Sequence, residues 1–450
     1  MAELIVRSRR VLAGPTLAPA AIHVTGGLVA RIAAWDDVPA GAPLVDVGDL
    51  VVMPGLVDAH VHLNEPGRTA WEGFATATRA AAKGGVTTLV DMPLNSIPAT
   101  TTVESLHTKR AAAEGQCAVD VGFWGGAVPG NERELGALLD AGALGFKCFL
   151  VESGVDEFPC VGERDLRAAM AALADTGAPL LVHAELPGPL AAAALEVAGR
   201  DPRAYATYLA SRPRAAEDEA IALLVSAMRE LRARVHVVHL SSASALDTIL
   251  SAKAEGLPLT VETTPHYLHF AAEDVPDGAT AYKCAPPIRE RENRERLWAA
   301  LTEGAIDLVV SDHSPCTPDL KLLEAGDFQA AWGGIASLQF GLSVIWTDAR
   351  KRGATLADVA RWMCAGPARL AGLSARKGAL APGMDADLVV FDPDARQTIV
   401  PTAIEHRNKT TPYAGEELSG VVVATYLRGE KIYERGTFAT GHRGRFLSRG

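Results

Sequence analysis

From residue 51 onward the chain repeats one unit: a short apolar run, a turn, then an Ala-rich amphipathic stretch. The strand-like runs are "VVMPGLVDAHVHL", "TTLVDMP", "VDVGFWGG", "GFKCFL", "PLLVHAE", "RVHVVHLS", "LTVETTPHYL" and "DLVVSDHS". Helical patterns such as "WEGFATATRAAAKGG", "ERDLRAAMAALADTG" and "PRAAEDEAIALLVSAMRELRAR" separate them. Continuous apolar strands alternating with helices point to a parallel sheet covered by helices. Eight such units predict an α/β fold of the (β/α)8 TIM-barrel type over residues 52–373. A doubly wound open sheet is the alternative, but no Gly-rich phosphate loop follows any early strand.

The two ends have a different character. Residues 3–50 hold short alternating strands with Gly and Pro turns, and "KGALAPGMDADLVVFDP" and "SGVVVATYLRGEKIYERG" return to it. These flanks, 1–51 and 374–450, are expected to form one small β-sandwich-like domain with the barrel inserted between them. The long 186–213 segment is expected to make a helical excursion near the barrel mouth. Acidic residues outnumber basic ones, 54 to 43, which argues against a nucleic-acid partner, since phosphate binding needs a basic patch. Six scattered cysteines without short paired spacings read as reduced thiols. The first residues lack a signal peptide's apolar block, and no run approaches the roughly 20 residues of a membrane span. A cytoplasmic location is expected.

Polar residues at the carboxyl ends of barrel strands are where this fold places its chemistry. In "GLVDAHVHLNEPGR", His60 and His62 stand two apart, so an extended strand turns both imidazoles to one face. Lys147 falls in the fourth strand, His183 in the fifth, His239 in the sixth and Asp312 in the eighth. Each alone has an ordinary structural explanation. A lone strand-end histidine is more often structural than not, and Asp312 can cap a turn or helix. Six residues of metal-ligand type arriving at one rim is a stronger signal. His236 faces the opposite side from His239 and is set aside. His107, His269, His406 and His442 are expected to face solvent.

Lys147 lies among apolar neighbours in "GFKCFL", where desolvation pushes an ammonium towards neutrality. One reading is a lysine snorkelling to water. A neutral lysine can instead react with carbon dioxide, giving a carbamate that bridges two metals. Four imidazoles, a carboxylate and that carbamate suit two divalent ions, zinc above all, given imidazole-rich coordination without thiolates.

The set His60-x-His62, Lys147, His183, His239 and Asp312 resembles the binuclear metal-dependent amidohydrolase superfamily, strand by strand. Within it the chain is similar to the allantoinases of the cyclic amidohydrolase branch. The stretches that carry this likeness are "HLNEPGRTAWEGF", "MPLNSIPATT", "DVGFWGG", "GFKCFLVESGVDEFP", "VHLSSA", "KCAPPIRERENRE", "VVSDHSPCTPDLK" and "DFQAAWGGIASLQFGLSVIW". Sister families differ at two points. Dihydroorotases carry an arginine two residues past the His-x-His pair, where this chain has Asn64. Hydantoinases and dihydropyrimidinases carry an oxyanion-stabilising tyrosine five residues after the lysine, where this chain has Glu152.

The resemblance implies opening of the five-membered hydantoin ring of allantoin to allantoate, in purine catabolism, by a hydroxide bridging two zinc ions. Asp312 would be ligand and base together, and Lys147 would be carboxylated. Asn95, Ser153, Cys284 and Ser314 are the implied substrate contacts, with Ser153 helping the oxyanion. Asn95 as a turn residue, Ser314 as a cap and Cys284 as packing remain open. A small-molecule substrate, no nucleic acid or membrane partner, and a tetramer are expected. The rivals are a hydantoinase or dihydropyrimidinase of relaxed specificity and a non-catalytic scaffold relative.

Overall fold

The structure is a computed structural model that describes residues 3–449. Eight parallel strands form the barrel: Leu56–Val61, Val86–Asp91, Asp120–Phe123, Phe146–Phe149, Leu180–His183, Val235–Val237, Leu259–Thr263 and Leu308–Val309. The third strand passes into the fourth through Gly125–Gly126, which pairs with Phe146 and Lys147. A parallel bridge between Val61 and His313 joins the first strand to the end of the eighth and closes the ring. Strand residues are buried on both faces, as a sheet enclosed by helices requires. Helices Phe74–Lys83, Glu163–Leu173 and Arg214–Leu231 occupy three of the predicted helical stretches. The amphipathic faces of these helices, including Phe74, Leu166, Met170, Ile221 and Leu224, pack into one apolar cluster with the strands.

Both ends of the chain contribute to one nine-stranded sheet. Its middle strand is Val51–Pro54, parallel to Leu4–Val11 and antiparallel to Leu388–Thr398. The run "VVMPGLVDAHVHL" is therefore two strands in two sheets, with the chain crossing at Gly55. Only glycine fits there, because a Cβ would collide with the Thr87 side chain. The predicted strand "LTVETTPHYL" likewise divides, into Leu259–Thr263 and a helical turn at Pro265–His269. Pro265 is well suited to that start, since proline needs no hydrogen-bond acceptor at the first helical positions.

A buried ion cluster ties the barrel to the terminal sheet. Lys377 Nζ lies 2.7 Å from Asp120 Oδ2 at the foot of the third barrel strand. It also lies 2.9 Å from Asp385 Oδ2 and 2.7 Å from Asp387 Oδ2, just before the sheet strand Leu388–Thr398. Arg428 adds a second cation against Asp120. The 186–213 segment forms helices Pro187–Glu196 and Tyr205–Ser211, which flank the barrel mouth. Among the described residues no helix is long and apolar enough to cross a membrane.

Candidate active site at the barrel mouth

His60, His62, Lys147, His183, His239 and Asp312 all line one cavity of about 570 Å³ at the carboxyl ends of the strands. All are nearly inaccessible, from 1 % exposed for His60 and Lys147 to 7 % for Asp312. They form two facing groups. Asp312 Oδ1 lies 3.1 Å from His60 Nε2 and 3.6 Å from His62 Nε2. Opposite, His183 Nδ1 and His239 Nε2 are 3.1 Å apart. Two nitrogens on one tetrahedral zinc, at about 2.0–2.1 Å each, stand about 3.3 Å apart. Both groups are thus already close to the spacing that a shared cation imposes. The charge of Lys147 acts on His60, His183 and His239 alike, so it stands within reach of both groups.

Lys147 is the anomaly. Its Nζ is buried without a hydrogen-bond partner, 4.2 Å over the Phe149 ring. Burial brings its pKa from 10.5 down to about 8. An unpaired buried ammonium is unfavourable, so the position suits a neutral amine or a modified one. The other groups respond to the same burial. Burial disfavours the His60 imidazolium, yet Asp312 and Glu262 outweigh it and raise its pKa. His62 and His183 are lowered by burial, and His239 falls well below the ordinary value through burial and the neighbouring His183. Burial alone would raise Asp312, but the imidazoles around it hold its carboxyl well below the usual range.

The backbone is strained where the site is built. Asn64, Asn95, His239 and Asp312 have φ of 63°, 66°, 38° and 44°. Such left-handed conformations cost a side-chain-bearing residue about 1–3 kcal/mol and cluster at functional sites.

The implied substrate contacts fall into different places. Asn95 and Ser314 line the cavity. Asn95 Nδ2 is 3.5 Å from His62 Nδ1, and its Oδ1 is buried without a partner. Ser314 borders Gly334, where φ is 153° and a Cβ would strike the Ser314 carbonyl. Ser153 lines the cavity too, but its hydroxyl donates to the Phe158 carbonyl at 2.6 Å, within its own loop. Cys284 is buried beneath the wall, and its neighbours Lys283 and Ala285 reach the surface of the cavity. Two histidine expectations are corrected. His406 is fully buried against His313, with ring centroids 4.6 Å apart, and His269 is paired with Asp348 at 2.5 Å. Apolar packing of the 401–413 segment onto the barrel withdraws both from solvent. His107 and His442 are exposed, as expected.

Several site residues escaped the sequence reading. Glu185 accepts from His183 Nε2 at 2.7 Å and is itself held by Arg212. It follows His183 by two residues, and the same-face rule that picked out His60 and His62 applies to it equally. Glu262, fully buried, contacts His60 Nδ1 at 2.5 Å and His236 Nε2 at 2.9 Å. His236 is thus outside the cavity yet connected to it. Burial opposes the Glu262 carboxylate, but the two imidazoles bring its pKa down to about 2. Lys283 and Lys321 hold the 329–334 wall by donating to its main-chain carbonyls. A second carboxylate group, Asp120, Asp385 and Asp387, has ligand-like spacing, but Lys377 already occupies its centre.

The sequence profile of the amidohydrolase family matches residues 51–432. The chain is 56% identical over 448 residues to the allantoinase of Streptomyces avermitilis, covering 99% of both proteins. It is 53% identical over 370 residues to the mitochondrial allantoinase of Aquarana catesbeiana, covering 82% of this chain and 76% of that one. Among solved structures, the L-hydantoinase (dihydropyrimidinase) from Arthrobacter aurescens matches with a TM-score of 0.94 at 32% identity, over 100% of both chains.

Proposed function

The chain belongs to the amidohydrolase family, and from that premise we propose that it is a metal-dependent cyclic amide hydrolase that opens allantoin to allantoate. The observation that carries this reading is the convergence of four imidazoles, a carboxylate and an unpartnered buried lysine on one cavity. The choice of allantoin follows two relatives at more than half identity, one matching 99% of the chain and the other 82%.

His60, His62 and Asp312 would hold one divalent ion, and His183 and His239 a second. Lys147, its amine made nucleophilic by burial, would add to carbon dioxide, losing a proton, and offer the resulting carbamate oxygens to both. Nitrogen and oxygen donors without thiolate favour zinc. When bound, such ions polarise a carbonyl and make water a nucleophile near neutral pH. Asp312, anionic at any such pH, takes the proton of the attacking water and delivers it to the ring nitrogen as the amide C–N bond breaks. Asn95 and Ser314, on the cavity wall, would orient the ring and its ureido tail.

The cavity also supports a neutral substrate. Apart from Lys147, its lining cations are already committed, Arg212 to Glu185 and Lys283 to the carbonyls of Gln329 and Ala331. Asn64, where a carboxylate-binding arginine would stand in dihydroorotases, is buried and donates to the Pro315 carbonyl at 3.3 Å. Six free cysteines support a reducing compartment, which we take to be the cytoplasm. The test is a substrate panel on metal-replete protein: allantoin, hydantoin, dihydrouracil and dihydroorotate. Allantoin should lead, hydantoin should follow far behind, and the six-membered rings should be near background. A kcat/KM for hydantoin or dihydrouracil equal to that for allantoin defeats the substrate assignment and leaves the metal chemistry standing.

A further inference from the structure

Glu262 sits on the seventh barrel strand and touches three other parts of the site. Its Oε1 accepts from His60 Nδ1 at 2.5 Å and from the His239 backbone N–H at 3.2 Å. Its Oε2 lies 2.9 Å from His236 Nε2, and His236 Nδ1 lies 2.8 Å from the Thr260 hydroxyl. Glu262 and the three histidines are buried, Glu262 and His236 fully, and Thr260 is half-buried.

We propose that Glu262 is a positioning residue that sets the tautomer of His60 and pins the strained backbone of His239, so that one carboxylate aligns both halves of the metal centre. This inference rests on the reading of His60 and His239 as metal ligands. A carboxylate can only accept, so each imidazole nitrogen facing Glu262 carries the proton. In the metal-loaded protein this would leave the His60 Nε2 lone pair for the ion, on the Asp312 side. An outer partner that fixes a ligand's ring in this way also raises its basicity. His239 holds φ at 38°, and its amide, which can only donate, is anchored by the same Oε1. His236 is the adjustable member, because the Thr260 hydroxyl behind it can either donate or accept.

Glu262→Gln separates this role from mere space filling. The amide oxygen must remain at Oε1, since the His239 N–H and the His60 Nδ1–H both need an acceptor there. The amide NH₂ then faces His236 Nε2, which must become an acceptor, and the His236 proton moves to Nδ1 to be donated to Thr260. The experiment is nitrogen-15 NMR of histidine-labelled, zinc-loaded wild type, Glu262→Gln and Glu262→Leu, with metal affinity measured by chelator competition.

Expected are Nδ1–H on His60 and Nε2–H on His236 in the wild type, and a proton shift on His236 alone in Glu262→Gln. Metal affinity should drop about tenfold in Glu262→Gln and about a hundredfold in Glu262→Leu. Wild-type metal affinity in both variants overturns the proposal, as does an unmoved His236 proton in Glu262→Gln. If Glu262→Leu does not fold, the wild-type and Glu262→Gln spectra decide alone. A wild type that binds no metal would instead overturn the metal-ligand reading, and this inference with it.

Discussion

Replacing Lys147 with Met removes an ammonium that the folded, metal-free protein holds without a partner. Burial lowers the lysine's pKa from 10.5 to about 8, a difference of about 2.5 units. At about 1.4 kcal/mol per unit, keeping the charge inside costs about 3 kcal/mol. The sign follows from proton binding. The folded state binds this proton less tightly than the unfolded chain, so stability rises with pH between about 8 and 10.5. Below pH 8 the penalty is fully present. Methionine occupies similar space without the charge and adapts to irregular packing. At pH 7, in chelator-treated and CO₂-free buffer, Lys147→Met should therefore be inactive yet more stable by about 3 kcal/mol. Urea unfolding reads this as a higher midpoint at unchanged slope. At pH 10 most of the gap should close as the wild-type lysine sheds its proton. Adding metal should reverse the order, because ions that bind only the native wild type stabilise it by mass action. A variant less stable than metal-free wild type at pH 7, or a gap indifferent to pH, refutes the reasoning.

Protein purified without chelators should contain close to two divalent ions per chain by elemental analysis, and chelation should abolish turnover; a fully active metal-free preparation contradicts the mechanism. Lys147→Arg should not restore activity, because a guanidinium can neither form the carbamate nor ligate, and near-normal turnover would make the residue a structural cation. Dihydroorotate should turn over at least about a thousandfold more slowly than allantoin, since a carboxylate left without a partner costs several kcal/mol and each 1.4 kcal/mol is about tenfold in rate. Comparable steady-state kcat/KM for the two would refute that charge argument. Lys377→Met should destabilise the protein by about 3–5 kcal/mol, because it strips the shared cation from three buried carboxylates. That deficit should shrink as the pH falls and Asp387, whose carboxyl burial already pushes up, takes a proton in the folded variant, which urea midpoints across pH will check.

The barrel was legible because its signal is local. Each strand announces itself as an apolar run with a turn at its end, and the strand-end rule then picks residues such as His60, Lys147 and Asp312 without any knowledge of their neighbours. That rule brought six distant positions to one cavity. Lys147 was legible for a further reason, since an ammonium in a fully apolar strand is anomalous wherever the strand packs. The division of "VVMPGLVDAHVHL" between two sheets was not legible, because both halves are equally apolar and only the packing at Gly55 separates them. Nor was the burial of His406, whose neighbours in sequence are polar and whose cover comes from the barrel.

The buried pairs that link distant parts of the chain were hidden for the same reason. Glu262 meets His60 across 202 residues of chain, and Lys377 meets Asp120 across 257. Sequence determined which side chains stand at which strand ends, because a strand's alternation and length are properties of a few consecutive residues. Which buried group answers which was decided by ring closure and by the docking of the terminal sheet. Hydrogen bonds and ion pairs act over about 3 Å, and only tertiary structure sets distances that short between residues so far apart in the chain.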